Sequence, residues 1–327
     1  MMQGLNTYAA SLESRELEVL DHQANINHDD DNEAGVVTTN NKKEAARRTC
    51  ELQQKMRNGI QQVHDFDDPV ALAGYTRRKF YHRAVISLEL FRSFFDAVLK
   101  QETTRKTKTN GIDDATTGVA NTSCLLDGSS QLISIGGGPG NDIFGAILFE
   151  RHVYGSYLQA DQDSNNTSNN IRSFMSTIHH FDLSAFWAPI VDQVSLLSHR
   201  STVGAPAPVT THTCNLREPL ASTANLALAD VMNDATSTAQ ASQQQPVILL
   251  FCYVINEVMK KPSGDTPPLL HDLIMAAQEK QGLTVFLFRE PNTASLRTIV
   301  SRYSGTLQFM ELDDYGGYGL VLPQHPQ

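Results

Sequence analysis

The chain is 327 residues long, 40% hydrophobic and 19% charged, a balance that fits a soluble globular protein; no apolar run approaches the roughly 20 residues that span a membrane. A formal net charge of −10 excludes a generally basic nucleic-acid-binding surface and leaves room only for a local patch. Cys50, Cys124, Cys214 and Cys252 lie far apart with no C-x-x-C pair, which reads as reduced thiols in a cytoplasmic or nuclear protein and not as a zinc site or disulfide framework.

Residues 1 to 21 hold a short helical pattern around Leu12, Leu17, Val19 and Leu20. From His22 to Lys43 the sequence turns polar and lacks the apolar area to offset its ordering entropy, so residues 1–45 are expected to be largely disordered. Helix resumes from Glu44 to Val63 and opens a helical extension over 46–110. Within it Leu88, Phe91, Phe95, Val98 and Leu99 recur at helix spacing, an apolar face suited to docking on the main domain. Ahead of them stands the stretch from Tyr75 to Arg83, in which Arg77, Arg78, Lys79 and Arg83 interleave with aromatic residues. It reads either as a solvated helix face or as a contact for phosphates and bases, since guanidinium pairs bidentately with phosphate and aromatics stack on bases. Thr103 to Ser123 is polar and Thr-rich, a linker.

Residues 132 to 145 organise the rest. Leu132, Ile133 and Ile135 read as a buried parallel strand; Gly136, Gly137, Gly138, Pro139 and Gly140 make a tight turn; helix spacing begins at Asp142 with Ile143, Phe144, Ile147 and Leu148. Glycines let a ligand lie against the main chain, and a helix N-terminus offers it free N–H groups. The dinucleotide fingerprint G-x-G-x-x-G would need glycine at position 141, which is Asn141. The GGGPG turn followed by an acid instead resembles motif I of the class I S-adenosylmethionine (SAM)-dependent methyltransferases, in particular a eukaryotic subset of them, over roughly Leu125 to Pro323. That resemblance implies an α/β, Rossmann-like class I methyltransferase fold: a seven-stranded, mostly parallel sheet with an antiparallel last strand, occupying residues 120–327. It also implies SAM as cofactor, held by Gly136, Gly137, Gly138, Pro139, Gly140 and Asp142, with Ser134 standing where many of those enzymes carry an acid. Helices ahead of motif I often cover the cofactor in such enzymes, which makes Tyr75, Arg77, Arg78 and Tyr81 substrate candidates.

After the motif helix, expected to reach Leu158, comes a low-complexity insertion near 161–171. The second strand is placed at Phe174 to Phe181, ending in Asp182, with Trp187, Ile190, Val191 and Val194 on the next helix. In the family the acid at this strand end takes the two ribose hydroxyls of SAM; Asp182 is chosen, with Asp161 as rival. A Pro- and Thr-rich loop covers 199–211, and His212 to Leu220 resembles the third strand and its turn, putting Asn215 and Leu216 at the adenine edge. A second polar insertion near 236–245 precedes an unbroken apolar run, Pro246 to Ile255, a central strand buried on both faces. It runs into Asn256-Glu257, where an open α/β sheet places its ligand. Apolar strand, Asn, Glu is similar to motif IV of GGGPG-type methyltransferases, including a fungal group acting on uridine of large-subunit rRNA. A helix from Pro268 to Lys280 and a fifth strand, Leu283 to Phe288, lead to Arg289-Glu-Pro291; Thr306 to Leu312 and Tyr318 to Leu322 then read as a hairpin.

Methyl transfer is an in-line displacement that positioning alone can accelerate, so no acid or base is obligatory. Glu257 and Asn256 rank first as catalytic contacts, and Tyr253 and Arg289 follow. No His/Cys/Asp/Glu set has metal-ligand spacing, His179-His180 reads as part of the second strand, and neither an N/D-P-P-Y/F stretch nor a Pro-Cys dipeptide is present. The expected function is SAM-dependent methyl transfer to an RNA, slightly favoured, or to a small molecule, without metal or membrane; the alternative is a catalytically silent SAM-binding or interaction protein.

Overall fold

The structure is a computed structural model. It describes residues 34–58, 63–66, 68–108, 123–126, 129–159, 173–199, 207–237, 245–259, 264–279, 283–291, 293–305, 307–312 and 317–321. The helical pattern of 1–21, Asp161 and the low-complexity insertions near 161–171 and 238–244 lie outside the described residues. The chain forms two compact units, one through His82 and one from Arg83 onward.

In the first unit helix α1 spans Ala34–Arg57, ten residues ahead of the expected start at Glu44, and stops short of Val63. Its polar sequence is supported by charge pairs one turn apart. Arg47 bonds Glu44 and Glu51, and Arg48 bonds Glu44 at 3.0 Å. Helix α2, Pro69–Lys108, is one unbroken element whose residues through His82 belong to this unit. It approaches α1 closely at Gly74, where an added Cβ would stand 2.1 Å from Thr49 Oγ1. Leu52, Phe66, Ala71, Leu72 and Tyr75 form the small buried core.

The second unit is an α/β fold. Its strands are β1 Ser130–Ile135, β2 Met175–Asp182, β3 Val209–Thr213, β4 Val247–Cys252, β5 Thr284–Arg289, β6 Gln308–Glu311 and β7 Gly317–Val321. They form one sheet in the order β3-β2-β1-β4-β5-β7-β6. Strands β1 to β5 run parallel, and β7 runs antiparallel to both β5 and β6. All six residues of β1 and of β4 are buried, as expected of parallel strands covered on both faces. The register aligns Ile135 with Phe181 on one side and with Phe251 on the other. The carboxyl ends of β1, β2 and β4 therefore open together where the strand order reverses, the place an open α/β sheet offers to a ligand.

The helices described in this unit are α3 Asn141–Phe149, α4 Ala188–His199, α5 Leu226–Ser237, α6 Pro268–Glu279 and α7 Ala294–Tyr303, with single turns at Ser123–Leu126 and Ile255–Val258. One core joins Ile133, Phe251, Phe286 and Phe288 to Leu228 of α5, Leu273 of α6 and Ile299 of α7. A second, aromatic cluster gathers Phe91 and Phe95 of α2 with Phe149, Tyr154 and Phe174 at ring separations of 5.1–6.0 Å. Here α2 crosses α3 over Gly145, where a Cβ would lie 2.6 Å from the Ala84 carbonyl oxygen. Beyond α3 the helix widens into a π turn, Glu150–Tyr154.

Several strand boundaries differ from expectation, β2, β6 and β7 by one or two residues. β3 begins at Val209, inside the stretch read as loop, because the backbone from Val209 to Thr213 pairs in register with Ile178 to Asp182 of β2. β4 stops at Cys252, three residues early, because Tyr253 takes a left-handed conformation that ends the ladder. β5 includes Arg289, which pairs with Cys252. Helices α5 and α7 add to the elements expected from the sequence. No described helix is long and apolar enough to cross a membrane.

Candidate functional site

β1 delivers the chain into a turn in which Gly136, Gly138 and Gly140 have φ of 71°, 55° and 82°, all in the left-handed region that glycine adopts without strain. The two that matter differ in surroundings. A Cβ on Gly136 would meet Val254 Cγ2 at 2.4 Å, so this glycine lets the end of β1 approach the end of β4. A Cβ on Gly138 would meet nothing within 4 Å: this stretch of backbone borders open space.

Beneath the turn, Ser134 Oγ donates to Asp142 Oδ2 at 2.6 Å, and both residues are fully buried. Burial raises the Asp142 carboxyl above its usual range. Asp142 occupies the first turn of α3, where its charge complements the helix dipole and where Gly140 offers no side-chain cap. Ser134 and Asp142, both expected to contact the cofactor, are thus bonded to one another beneath the turn. A Cβ on Gly137 would strike this pair, 2.5 Å from Ser134 Oγ.

Asp182 ends β2 beside the turn. Its Oδ2 accepts from the Gly138 backbone N–H at 2.9 Å and its Oδ1 from the Ser184 N–H at 3.1 Å. Burial pushes it up to about 6. The Leu183 N–H also bears on this carboxylate. Trp187 follows closely, buried in the 3-10 turn Ala185–Trp187. Its neighbour His180, opposite Ser134 in the sheet, is fully buried, and burial lowers it to about 4, so it stays neutral.

At the end of β3, Asn215 is committed to the turn. Its Oδ1 accepts from Arg217 N–H at 3.0 Å and its Nδ2 donates to Glu218 Oε1 at 3.1 Å. Leu216 is buried. The turn closes on Asn225, which was not singled out in the sequence: its Oδ1 accepts from Asn215 N–H at 2.8 Å and its amide donates to the carbonyls of Asn215, Glu218 and Pro219. The Asn215 side chain, expected at the adenine edge, bonds within this turn, to the Arg217 N–H and the Glu218 carboxylate.

Just beyond β4, Tyr253 has φ of 63°, a left-handed conformation that costs a bulky residue energy. Its N–H donates to the Arg289 carbonyl at 2.7 Å, and the Arg83 guanidinium lies 4.5 Å from its ring centre. Asn256 and Glu257 sit on the single turn Ile255–Val258, not on a strand end. Ile255 N–H donates to Glu290 Oε1 at 2.6 Å. Burial first of all pushes Glu290 up to about 8; burial likewise pushes Glu257 up to about 7, with the Arg83 charge opposing and the Asp182 charge adding. Sequence gave no signal for Glu290, because its partner is a backbone N–H.

Gly138, Asp182, Tyr253, Glu257 and Arg83 are therefore brought to one end of the sheet. Tyr75, Arg77, Arg78 and Tyr81 belong to the first unit. There Tyr75 is buried, Tyr81 is exposed and Arg78 donates to Cys50 Sγ at 3.5 Å. Among the described residues no three His, Cys, Asp or Glu side chains are grouped to hold a metal ion.

The raised carboxyls have a consequence for stability. Glu150 is pushed up to about 7 by burial, alongside Glu257 at about 7 and Glu290 at about 8. Above pH 6.5 the unfolded chain has already released these protons while the folded form still holds some, so folding loses ground as pH rises. The opposing effect of neutral His180 acts below pH 6.5 and does not enter this window. The melting temperature should fall between pH 6.5 and 8.5, and less steeply in Glu290→Gln; calorimetry showing a flat or rising profile would refute the assignment.

No family model and no curated protein matches the chain. Among solved structures, a mutant of MtNAS aligns over 86% of this chain and 71% of its own at 9% identity, with a TM-score of 0.34. A Streptococcus mutans protein assigned to the SAM-dependent methyltransferases aligns over 60% of this chain at 12% identity, with a TM-score of 0.30. The chain spans less than half the length of that protein, 46%. Magnesium protoporphyrin IX methyltransferase from Synechocystis PCC 6803 aligns over 76% and 85% at 10% identity, with a TM-score of 0.29. Likeness at this level carries no weight for the function of this chain.

Proposed function

We propose that the chain is a SAM-dependent methyltransferase that takes its cofactor across the glycine turn at the carboxyl end of β1. The observation that carries this reading is the pairing of Gly138, whose backbone borders open space, with Asp182, whose carboxylate is held beside it at the end of β2. Such a pair suits a ribose with two adjacent hydroxyls. Gly136, Gly137, Pro139 and Gly140 shape the cradle, and Leu216 lines the flank where an adenine would rest. Bound SAM supplies an electrophilic methyl group on a sulfonium. With that group bound, the protein would orient the acceptor in line with it, and Glu257 would accept the proton that the acceptor nucleophile gives up. Asn256 and Arg289 hold the acceptor.

An RNA acceptor is favoured over a small molecule by the basic stretch through Arg77, Arg78 and Lys79 in a chain of net charge −10. Neutralising those three should weaken RNA binding and reduce its salt slope by roughly 0.7 per lost phosphate contact, with SAM affinity unchanged. An unaltered slope would favour the small molecule. The second reading, a silent SAM-binding protein, draws on Ser134 in place of the family's acid.

The deciding experiment is titration of the purified chain with SAM and, as control, NAD, followed by transfer from labelled SAM to total RNA and to metabolites. Gly138→Ala should bind SAM more weakly while remaining folded, because its new methyl group fills the space the ligand needs. Unchanged affinity in a folded variant would remove the turn as the cofactor site. Binding without transfer would select the silent protein.

A further inference from the structure

Arg83 is the first residue of the second unit, on the part of α2 held against α3 by the close crossing at Gly145. One turn further on, Ser87 Oγ stands 3.7 Å from Cys252 Sγ at the end of β4, which fixes the height of the helix over the strand. Arg83 thus reaches the Tyr253 ring, 4.5 Å away, a separation typical of a cation held on an aromatic face. The ring is in turn fixed by its left-handed backbone and its bond to the Arg289 carbonyl.

The groups around this cation are mostly acids. The Arg83 charge acts on Asp142 from α3, Cys252 at the end of β4, Tyr253 just after it and Glu257 from the single turn beyond; Asp182 of β2 acts in turn on Glu257, and Glu257 on Glu290 after β5, where Arg289 is the other cation. Four carboxyls in one buried neighbourhood repel each other's charges.

We propose that Arg83 is a positioning residue: its guanidinium, seated on the Tyr253 ring, supplies the positive charge that keeps Glu257 available as a base at the reacting end of the site. This rests on the methyltransferase reading and names the residue on which its proton transfer depends. Burial and then the Asp182 charge act against ionisation of Glu257, and Arg83 opposes them.

The test is a carboxyl-carbon NMR titration of the full chain labelled at glutamate, with the Glu257 signal identified by its loss in Glu257→Gln. Glu257 should titrate near 7 in the unaltered protein. In Arg83→Gln its midpoint should move up by about one pH unit or more, and Arg83→Lys should bring it back toward the original value. Tyr253→Leu, which removes the seat and leaves the charge, should shift it in the same upward direction and serves if Arg83→Gln folds poorly. An unmoved midpoint in these variants, or failure of lysine to restore it, overturns the proposal. The titration needs no acceptor or cofactor. Absence of SAM binding to the unaltered chain would therefore refute the methyltransferase reading and leave the coupling of Arg83 to Glu257 standing on its own result.

Discussion

Asp182→Ala is expected to weaken SAM binding by about ten- to a hundredfold, the cost of about 1.5–3 kcal/mol for losing a carboxylate that accepts two hydroxyls. The variant also strips the acceptor from the Gly138 N–H, so the turn loses its tie to β2 at the same stroke. Asp161→Ala should leave affinity unchanged. Calorimetric titration of both, with circular dichroism to show that each is folded, decides between them; the reverse result would transfer the ribose contact to Asp161. The acid must be ionised to accept two donors, and it is held near 6. Affinity in the unaltered chain should therefore decline as pH falls below about 6, whereas folding stability moves in the other direction above 6.5.

Gly136→Ala should be among the most destabilising single-methyl substitutions in the chain. Its φ of 71° strains any side chain, and the new Cβ would lie 2.4 Å from Val254 Cγ2 on a buried, β-branched residue that cannot swing aside. Strain and overpacking together suggest a loss of about 2–5 kcal/mol. Gly138→Ala carries the strain alone, about 1–2 kcal/mol. Urea unfolding of the two variants makes the comparison direct. Equal losses would mean that Gly138 is as crowded as Gly136, and the open space beside it would not exist.

The parts of the fold that were legible in the sequence are those in which one local rule acts without competition. The apolar runs of β1 and β4 could only be strands buried on both faces, and glycine spacing located the turn between β1 and α3. Asp182 was reachable because it ends a strand of recognisable pattern. What could not be read depends on partners distant in sequence. The Ser134–Asp142 pair, the Glu290 carboxyl on Ile255 N–H and the Asn225 brace on the β3 turn each join a side chain to a group that carries no sequence signature. Helix α5 was hidden because its polar C-terminal half, Asn-Asp-Ala-Thr-Ser, runs into a low-complexity segment. The end of β4 was misjudged because a hydrophobic count sees Val254 and Ile255 as a continuing strand, whereas the backbone has already turned at Tyr253. Arg83 was counted with the basic cluster before it, yet it is the member that belongs to the second unit.

Trp187 is the chain's single tryptophan, and it lies buried five residues beyond Asp182. All indole emission from this protein therefore originates beside the ribose end of the proposed site. The signal should lie toward the blue, as from an indole shielded from water, and a ligand that rearranges the β2–α4 connection would alter it. The molecule carries its own optical reporter, so equilibrium titrations and stopped-flow measurements of ligand entry can be made on the unlabelled chain.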